Sequence, residues 1–231
     1  MQAMSSGAPD GDEPAPKRRR YNSTRRALQA AQTRGDVLDV AIRLFGTAGW
    51  AGTTLNAVAA EAGVSVETVY SGFGSKKGLL RAAMDAAVVG DAAPVPFVER
   101  EAFASMSRGD LSARVAAAVA VVADIHERSA GVWRAIMEAA VGDPEVDAWR
   151  LELERGRRID TERSVAVIIG NELDAMTVDL VWVLLGPEVY LKLTGDAGHS
   201  RAEYERYVRH VIERIGLSVP RRRRGSRSTR P

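Results

Sequence analysis

Apolar positions recur at helical spacing along most of the chain, and no stretch of useful length alternates apolar with polar. Val37, Val40, Ala41, Leu44 and Phe45 fall at i, i+3, i+4, i+7 and i+8, one buried stripe on a helix. Thr33 with Asp36 reads as the N-terminal cap of that helix, and Gly46 and Gly49 as its close. A short second helix, capped by Thr53 or Thr54, turns Leu55, Val58 and Ala59 inward and ends at Gly63. Ser65 caps a third, anchored by Val69 and Phe73 and closed by Gly72 and Gly74. Ser75 caps a fourth, with Leu79, Leu80, Ala83, Met84 and Ala87 on its apolar face. Gly90, Pro94, Pro96 and Gly109 punctuate residues 90–109, which predicts a connecting loop.

The pattern stays helical beyond that loop. Helices are expected over 111–128 and 129–141, the second with Val132, Trp133, Ile136, Met137 and Ala140. Asp143-Pro144 opens a longer one with Val146, Trp149 and Leu153 inward. Leu173, Met176, Thr177, Leu180, Val181 and Leu184 form a stripe, and Val178, Trp182 and Val183 on the same segment are apolar too. A helix apolar almost all round is buried on two sides. Gly186-Pro187 interrupts it. Ser200 with Glu203 is a capping box for the last helix, whose stripe is Tyr204, Tyr207, Val208, Val211, Ile212 and Ile215. The fold class is all-α.

Composition narrows the chemistry. At 231 residues and 45% hydrophobic, a packed core is within reach. Cysteine is absent, which removes disulfides, thiol catalysis and Cys-ligated zinc. No run is long and apolar enough to span a membrane, and no secretory signal opens the chain, so a cytoplasmic protein is expected. The histidines are His126, His199 and His210, with no His-Glu-x-x-His pair. There is no Gly-x-Ser-x-Gly elbow and no phosphate-binding loop, and the carboxylates over 143–179 alternate with Arg as on a solvated helix. No enzyme, cofactor or metal site is expected. The net charge of +2 conceals an asymmetry: residues 1–33 carry +3, residues 218–231 carry +6, and the span between them −7. Basic arms on an acidic body are compatible with nucleic-acid contact at the arms. The expected organisation is a disordered basic arm over 1–32, a helical head over 33–82, a helical body over 83–217 and a disordered Arg-rich tail over 218–231.

The informative stretch runs from Thr53 to Leu80, TTLNAVAAEAGVSVETVYSGFGSKKGLL. It holds two short helices joined at Ala62-Gly63-Val64, where Gly63 permits a left-handed turn and Ser65 restarts the helix. That spacing is a helix-turn-helix, whose second helix lies in the DNA major groove with its N-terminal residues toward base edges. The matching pieces are Thr53-Thr54, Ala62-Gly63-Val64-Ser65, Thr68-Val69-Tyr70, Phe73, Ser75-Lys76-Lys77 and Leu79-Leu80. On these residues, with the first helix, the span 33–87 resembles the tetracycline-repressor (TetR) family of transcriptional regulators.

The resemblance implies a three-helix DNA-binding head followed by a ligand-binding and dimerisation body. It puts Val66, Glu67 and Ser71 at base-contacting positions and Thr54, Thr68, Tyr70 and Lys76 at phosphate-contacting ones, with Thr53 and Ser65 completing the DNA-binding set. Gly72 departs from the family, which often has a larger residue there. Glu67 is open between accepting from a cytosine amino group and favouring the helix N-terminus as an anion. The Lys17–Arg20 run with Arg25 and Arg26 is open between minor-groove contact and a solubilising tail. A homodimer packing through 173–185 and 204–215 is expected, with a palindromic double-stranded DNA operator as partner. A small hydrophobic effector among the helices of 111–185 would meet Trp133, Met137, Trp149 and Trp182, with Ile125, His126 and Tyr190 as further candidates. The implied function is transcriptional repression relieved by that effector, with activation left open.

Overall fold

The computed structural model describes residues 18–91, 99–171 and 173–217, with side chains placed over 25–91, 99–171 and 173–214. Among the described residues there is no strand. The described residues form ten α-helices in chain order. They are α1 (Arg18–Gly52), α2 (Leu55–Glu61), α3 (Val66–Phe73), α4 (Lys76–Val89), α5 (Glu101–Ser105), α6 (Leu111–Gly142), α7 (Pro144–Ile169), α8 (Ala175–Leu184), α9 (Pro187–Leu191) and α10 (Arg201–Leu217). A π-helical turn, Lys192–Asp196, continues α9.

The short helices start where the caps predict. Thr54, Ser65 and Ser75 each accept a hydrogen bond from the backbone N–H three residues on, that of Ala57, Thr68 and Gly78. The Asp143 carboxylate accepts from the N–H groups of Glu145 and Val146 with Pro144 in the first turn. Glu203 closes the capping box by accepting from the Ser200 N–H at 2.8 Å and hydroxyl at 2.9 Å.

Three expectations change. The first helix begins at Arg18, so residues 18–32 are helix rather than disordered arm, and Thr33 lies inside a continuous turn instead of capping one. Asp36 takes the side-chain amide of Gln32 at 2.9 Å. Ala27, Leu28, Gln29, Ala30 and Ala31 are strong helix formers, and the Gly- and Pro-rich segment before them masks that in a composition average. Residues 1–17 and 218–231 of the expected arm and tail lie outside the described residues. The second change joins the helices expected over 111–128 and 129–141 into one α6, with Ser129 buried in its middle. The third adds a helix, α5, to the stretch expected to be loop.

Helix α6 organises the molecule by serving two cores. Near its C-terminal half, Val132, Trp133, Ile136 and Ala139 pack with Val37, Ala41 and Phe45 of α1, Val58 of α2, Val69 of α3, Leu79, Leu80 and Ala83 of α4, and Val146 and Trp149 of α7. Near its N-terminal half, Val115, Ala118, Val119 and Ala123 pack with Met106, with Ile168 of α7 and with Tyr204, Val208 and Ile212 of α10. The helix-turn-helix thus shares its core with one end of α6. Tyr204, Val208, Val211 and Ile212 of the α10 stripe are buried inside the same chain. Helix α8 differs: Val178 and Val181 are buried, while Met176, Leu180 and Val183 are 69%, 48% and 54% exposed.

Candidate nucleic-acid interface

Helix α3 is held from beneath and presented outward. Val69 is buried, Val66 and Phe73 are half-buried against the core, and the turn before the helix is closed by Val64 N–H donating to the Ala59 carbonyl at 3.0 Å. Gly63 sits at φ 68, a conformation an L side chain rarely adopts. From α1, the Arg34 guanidinium lies 4.4 Å from the Phe73 ring centroid and donates to the Gly72 carbonyl at 3.1 Å, holding the last turn of α3. Arg34 was not anticipated from sequence; it stands 38 residues from its partner, and no local pattern links them.

This support leaves a contiguous polar surface. Ser65, Glu67, Thr68, Tyr70 and Ser71 are exposed on α3, and Thr54 is exposed at the start of α2. Tyr70 is 61% exposed, so its ring is not a core element. The Ser65 and Thr68 hydroxyls lie 3.1 Å apart, and Ser65 also caps the helix. Hydroxyls of this kind, beside the free N–H groups of a helix start, are donors suited to phosphate oxygens.

Two of the expected residues make contacts of their own with the end of α1. Thr53 is fully buried and its hydroxyl donates to the Gly49 carbonyl at 2.8 Å, so it braces the end of α1 and has no face to offer DNA. Lys76 is half-buried: its ammonium donates to the Trp50 carbonyl and lies 4.1 Å from the Trp50 ring centroid. Burial lowers its pKa from the usual lysine value.

The head is tied to the body along α4. At its start, Lys77 pairs with Asp143 at 3.1 Å and with Glu145 at 2.5 Å, and Arg81 lies 3.8 Å from Glu145. The Glu145 and Asp143 carboxylates raise the Lys77 pKa, and the Lys77 ammonium lowers that of Asp143. At its end, Arg128 of α6 donates to the carbonyls of Ala87 and Val88 at 3.0 and 3.4 Å. A movement of α6 or of the α6–α7 corner therefore reaches both termini of α4.

Of the four expected effector contacts, two share one buried core. Trp133 and Trp149 belong to the core shared with the head, and Trp133 donates its indole N–H to Glu188 at 2.7 Å. The Arg81 guanidinium lies 4.7 Å from the Trp149 ring centroid. Met137 is exposed. Trp182 is half-buried between α7 and α8, donating to Glu154 at 3.0 Å with Arg157 at 5.1 Å from its ring. His126 is buried, with its Nδ1 2.6 Å from the Tyr204 hydroxyl and Tyr190 alongside.

Residues 37–83 match the family model of bacterial regulatory proteins, tetR family. Solved structures share the fold at low identity. A transcriptional regulator of Rhodococcus sp. RHA1 is 19% identical with a TM-score of 0.55, over 80% of this chain and 98% of that one. A TetR-like transcriptional regulator of the same organism is 19% identical with a TM-score of 0.53, over 80% and 95%. A TetR family member of Streptomyces coelicolor A3 is 21% identical with a TM-score of 0.52, over 87% and 98%. No curated protein matches the sequence. Among the described residues no helix is long and apolar enough to cross a membrane.

Proposed function

We propose that this chain, whose residues 37–83 match the tetR family model of bacterial regulatory proteins, is a DNA-binding transcriptional regulator that acts as a homodimeric repressor on a palindromic operator, released by a small hydrophobic effector. The exposed face of α3 carries this reading: five polar side chains within seven residues, with Val69 turned into the core and Val66 half-buried beside it. In the bound state Val66, Glu67 and Ser71 face base edges, while Thr54, Ser65, Thr68, Tyr70 and Lys76 hold phosphates. DNA binding puts the site of action in the cytoplasm.

Dimerisation follows from a need and a surface. One short recognition helix buries little DNA, and a palindrome requires two, one helical turn or a multiple of it apart. The exposed Met176, Leu180 and Val183 of α8 supply an apolar face for a symmetric contact. Effector binding among the helices of 111–185 favours a second spacing of the recognition helices by its differential affinity for the two states. The clamps at both ends of α4 carry that change to the head.

Selection of bound duplexes from a random pool tests the proposal directly. The expected result is an inverted repeat whose half-site centres lie one helical turn or a multiple of it apart. Enrichment of a single unpaired site, or of no sequence at all, overturns it. The helical start of α1 adds a second expectation. Residues 18–35 hold six Arg and no acid, and residues 25–32 are exposed along the helix. Deleting residues 1–26 is expected to flatten the log–log salt dependence of operator binding by about 0.9 for each Arg–phosphate contact removed. An unchanged slope removes this segment from the interface.

A further inference from the structure

Helix α6 grips the end of α1 through three residues on one face. Gly131 lets the two backbones approach, since a Cβ there would stand 2.7 Å from the Gly46 Cα. One turn on, Arg134 donates to the Gly46 carbonyl at 2.6 Å. One turn further, the Glu138 carboxylate accepts the Trp50 backbone N–H at 2.7 Å. That N–H is available because α1 breaks at Gly49, where φ is 70 and ψ is −172. The Glu138 oxygen lies so close over the break that a Cβ on Gly49 would come within 2.5 Å of it.

The other side of Trp50 belongs to Lys76. The carbonyl of Trp50 receives the Lys76 ammonium, which also lies over the indole, and the indole is stacked on Phe45 with ring centroids 6.2 Å apart. Trp50 is therefore a fixed block between a carboxylate of the body and an ammonium of the head. An ammonium has three donors, so the contact to Trp50 orients Lys76 while leaving donors for an anion. Holding a long side chain in place before binding removes part of the ordering cost of the contact.

We infer that Glu138 is a positioning residue for DNA binding, which holds Lys76 through the main chain of Trp50 and makes the Lys76–phosphate contact depend on the position of α6. The inference rests on the DNA-binding reading of Lys76 given above. It assigns a point of passage from body to head that is separate from the ion pairs of Lys77.

The chain contains four lysines, Lys17, Lys76, Lys77 and Lys192, so acylation with a small amine-reactive ester, read by peptide mass spectrometry, reports Lys76 without DNA. Glu138→Ala is expected to speed acylation of Lys76 relative to Lys192, whereas Glu138→Gln, which keeps an oxygen for the Trp50 N–H, leaves the ratio near wild type. On the duplex recovered by selection, Glu138→Ala is expected to weaken binding about tenfold, the equivalent of one modest polar contact, and to add nothing in a Lys76→Ala background. A purely structural role for Glu138 would instead give additive losses in the double variant. Additivity, or an unchanged Lys76 acylation ratio in Glu138→Ala, overturns the inference. If the wild-type chain binds no duplex, the functional reading fails by itself, and the acylation ratio still decides whether Glu138 holds Lys76.

Discussion

Replacing Gly131 with valine is expected to destabilise the protein by about 3 kcal/mol, at the upper end of what overpacking costs. The new Cβ would meet the Gly46 Cα at 2.7 Å and its carbonyl oxygen at 3.3 Å. Both are backbone atoms of a packed helix and cannot swing aside as a flexible side chain would. Helices α1 and α6 must then separate, which breaks the Arg134 bond to Gly46 and the Glu138 bond to Trp50. For a domain of this size the thermal midpoint should fall by roughly 10 °C. Gly156→Ala is the matched control. It lies inside α7 with nothing within 4 Å of the new methyl group, and should stabilise by up to about 1 kcal/mol through helix propensity alone. Equal thermal midpoints for Gly131→Val and wild type would refute the close crossing.

Acidification is expected to remove a comparable amount of stability through one residue. His126 is buried in the second core, where its Nδ1 meets the Tyr204 hydroxyl at 2.6 Å and its ring packs against Tyr190 and Tyr204. Burial, with a smaller contribution from the Arg157 charge, pushes its pKa down to about 4 from 6.5. The unfolded chain therefore binds a proton that the folded chain refuses between those two values. Stability is full above pH 6.5 and falls as the pH drops through that window toward 4, by about 3 kcal/mol in all. Urea titrations of the wild type and of His126→Gln at several pH values between 7 and 4 check this. The wild-type curve should fall more steeply by that amount. Parallel curves would mean that His126 keeps an ordinary pKa. The Tyr204 hydroxyl, raised above its usual pKa mainly by burial, stays protonated throughout.

The parts of the interface legible in the sequence are those made by neighbours along the chain. Thr54, Ser65 and Ser75 could be read as caps because each bonds to a backbone group three residues away. The turn at Gly63 and the outward set on α3 follow from a left-handed glycine and a helical repeat, which are equally local. Thr53 and Thr54 show where that legibility stops. They are the same residue type in adjacent positions, yet one is exposed and caps α2 while the other is buried against Gly49. Only the break in α1 separates their roles.

Ser129 and Gly131 show the same limit in the body. A serine and a glycine two residues apart carry the local signs of a helix end, yet α6 runs through both. Ser129 is buried, and Gly131 is small because Gly46 crosses there. Likewise Arg34, Glu138 and Lys76 are linked to Gly72 and Trp50 across 38, 88 and 26 residues, distances at which periodicity carries no information.

The sequence by itself determined an all-α chain with a helix-turn-helix near its start, and which side of α3 faces outward, because helix period, caps and turn chemistry act over a few residues. Only the tertiary structure decided that Tyr204, Val208, Val211 and Ile212 of α10 are spent inside their own chain while part of α8 stays uncovered, that Trp133 and Trp149 sit in the core shared with the head, and that Lys76 rests on Trp50 under the hold of α6. Those outcomes depend on how whole helices cross, and a crossing is set by the summed packing of residues distant in the chain.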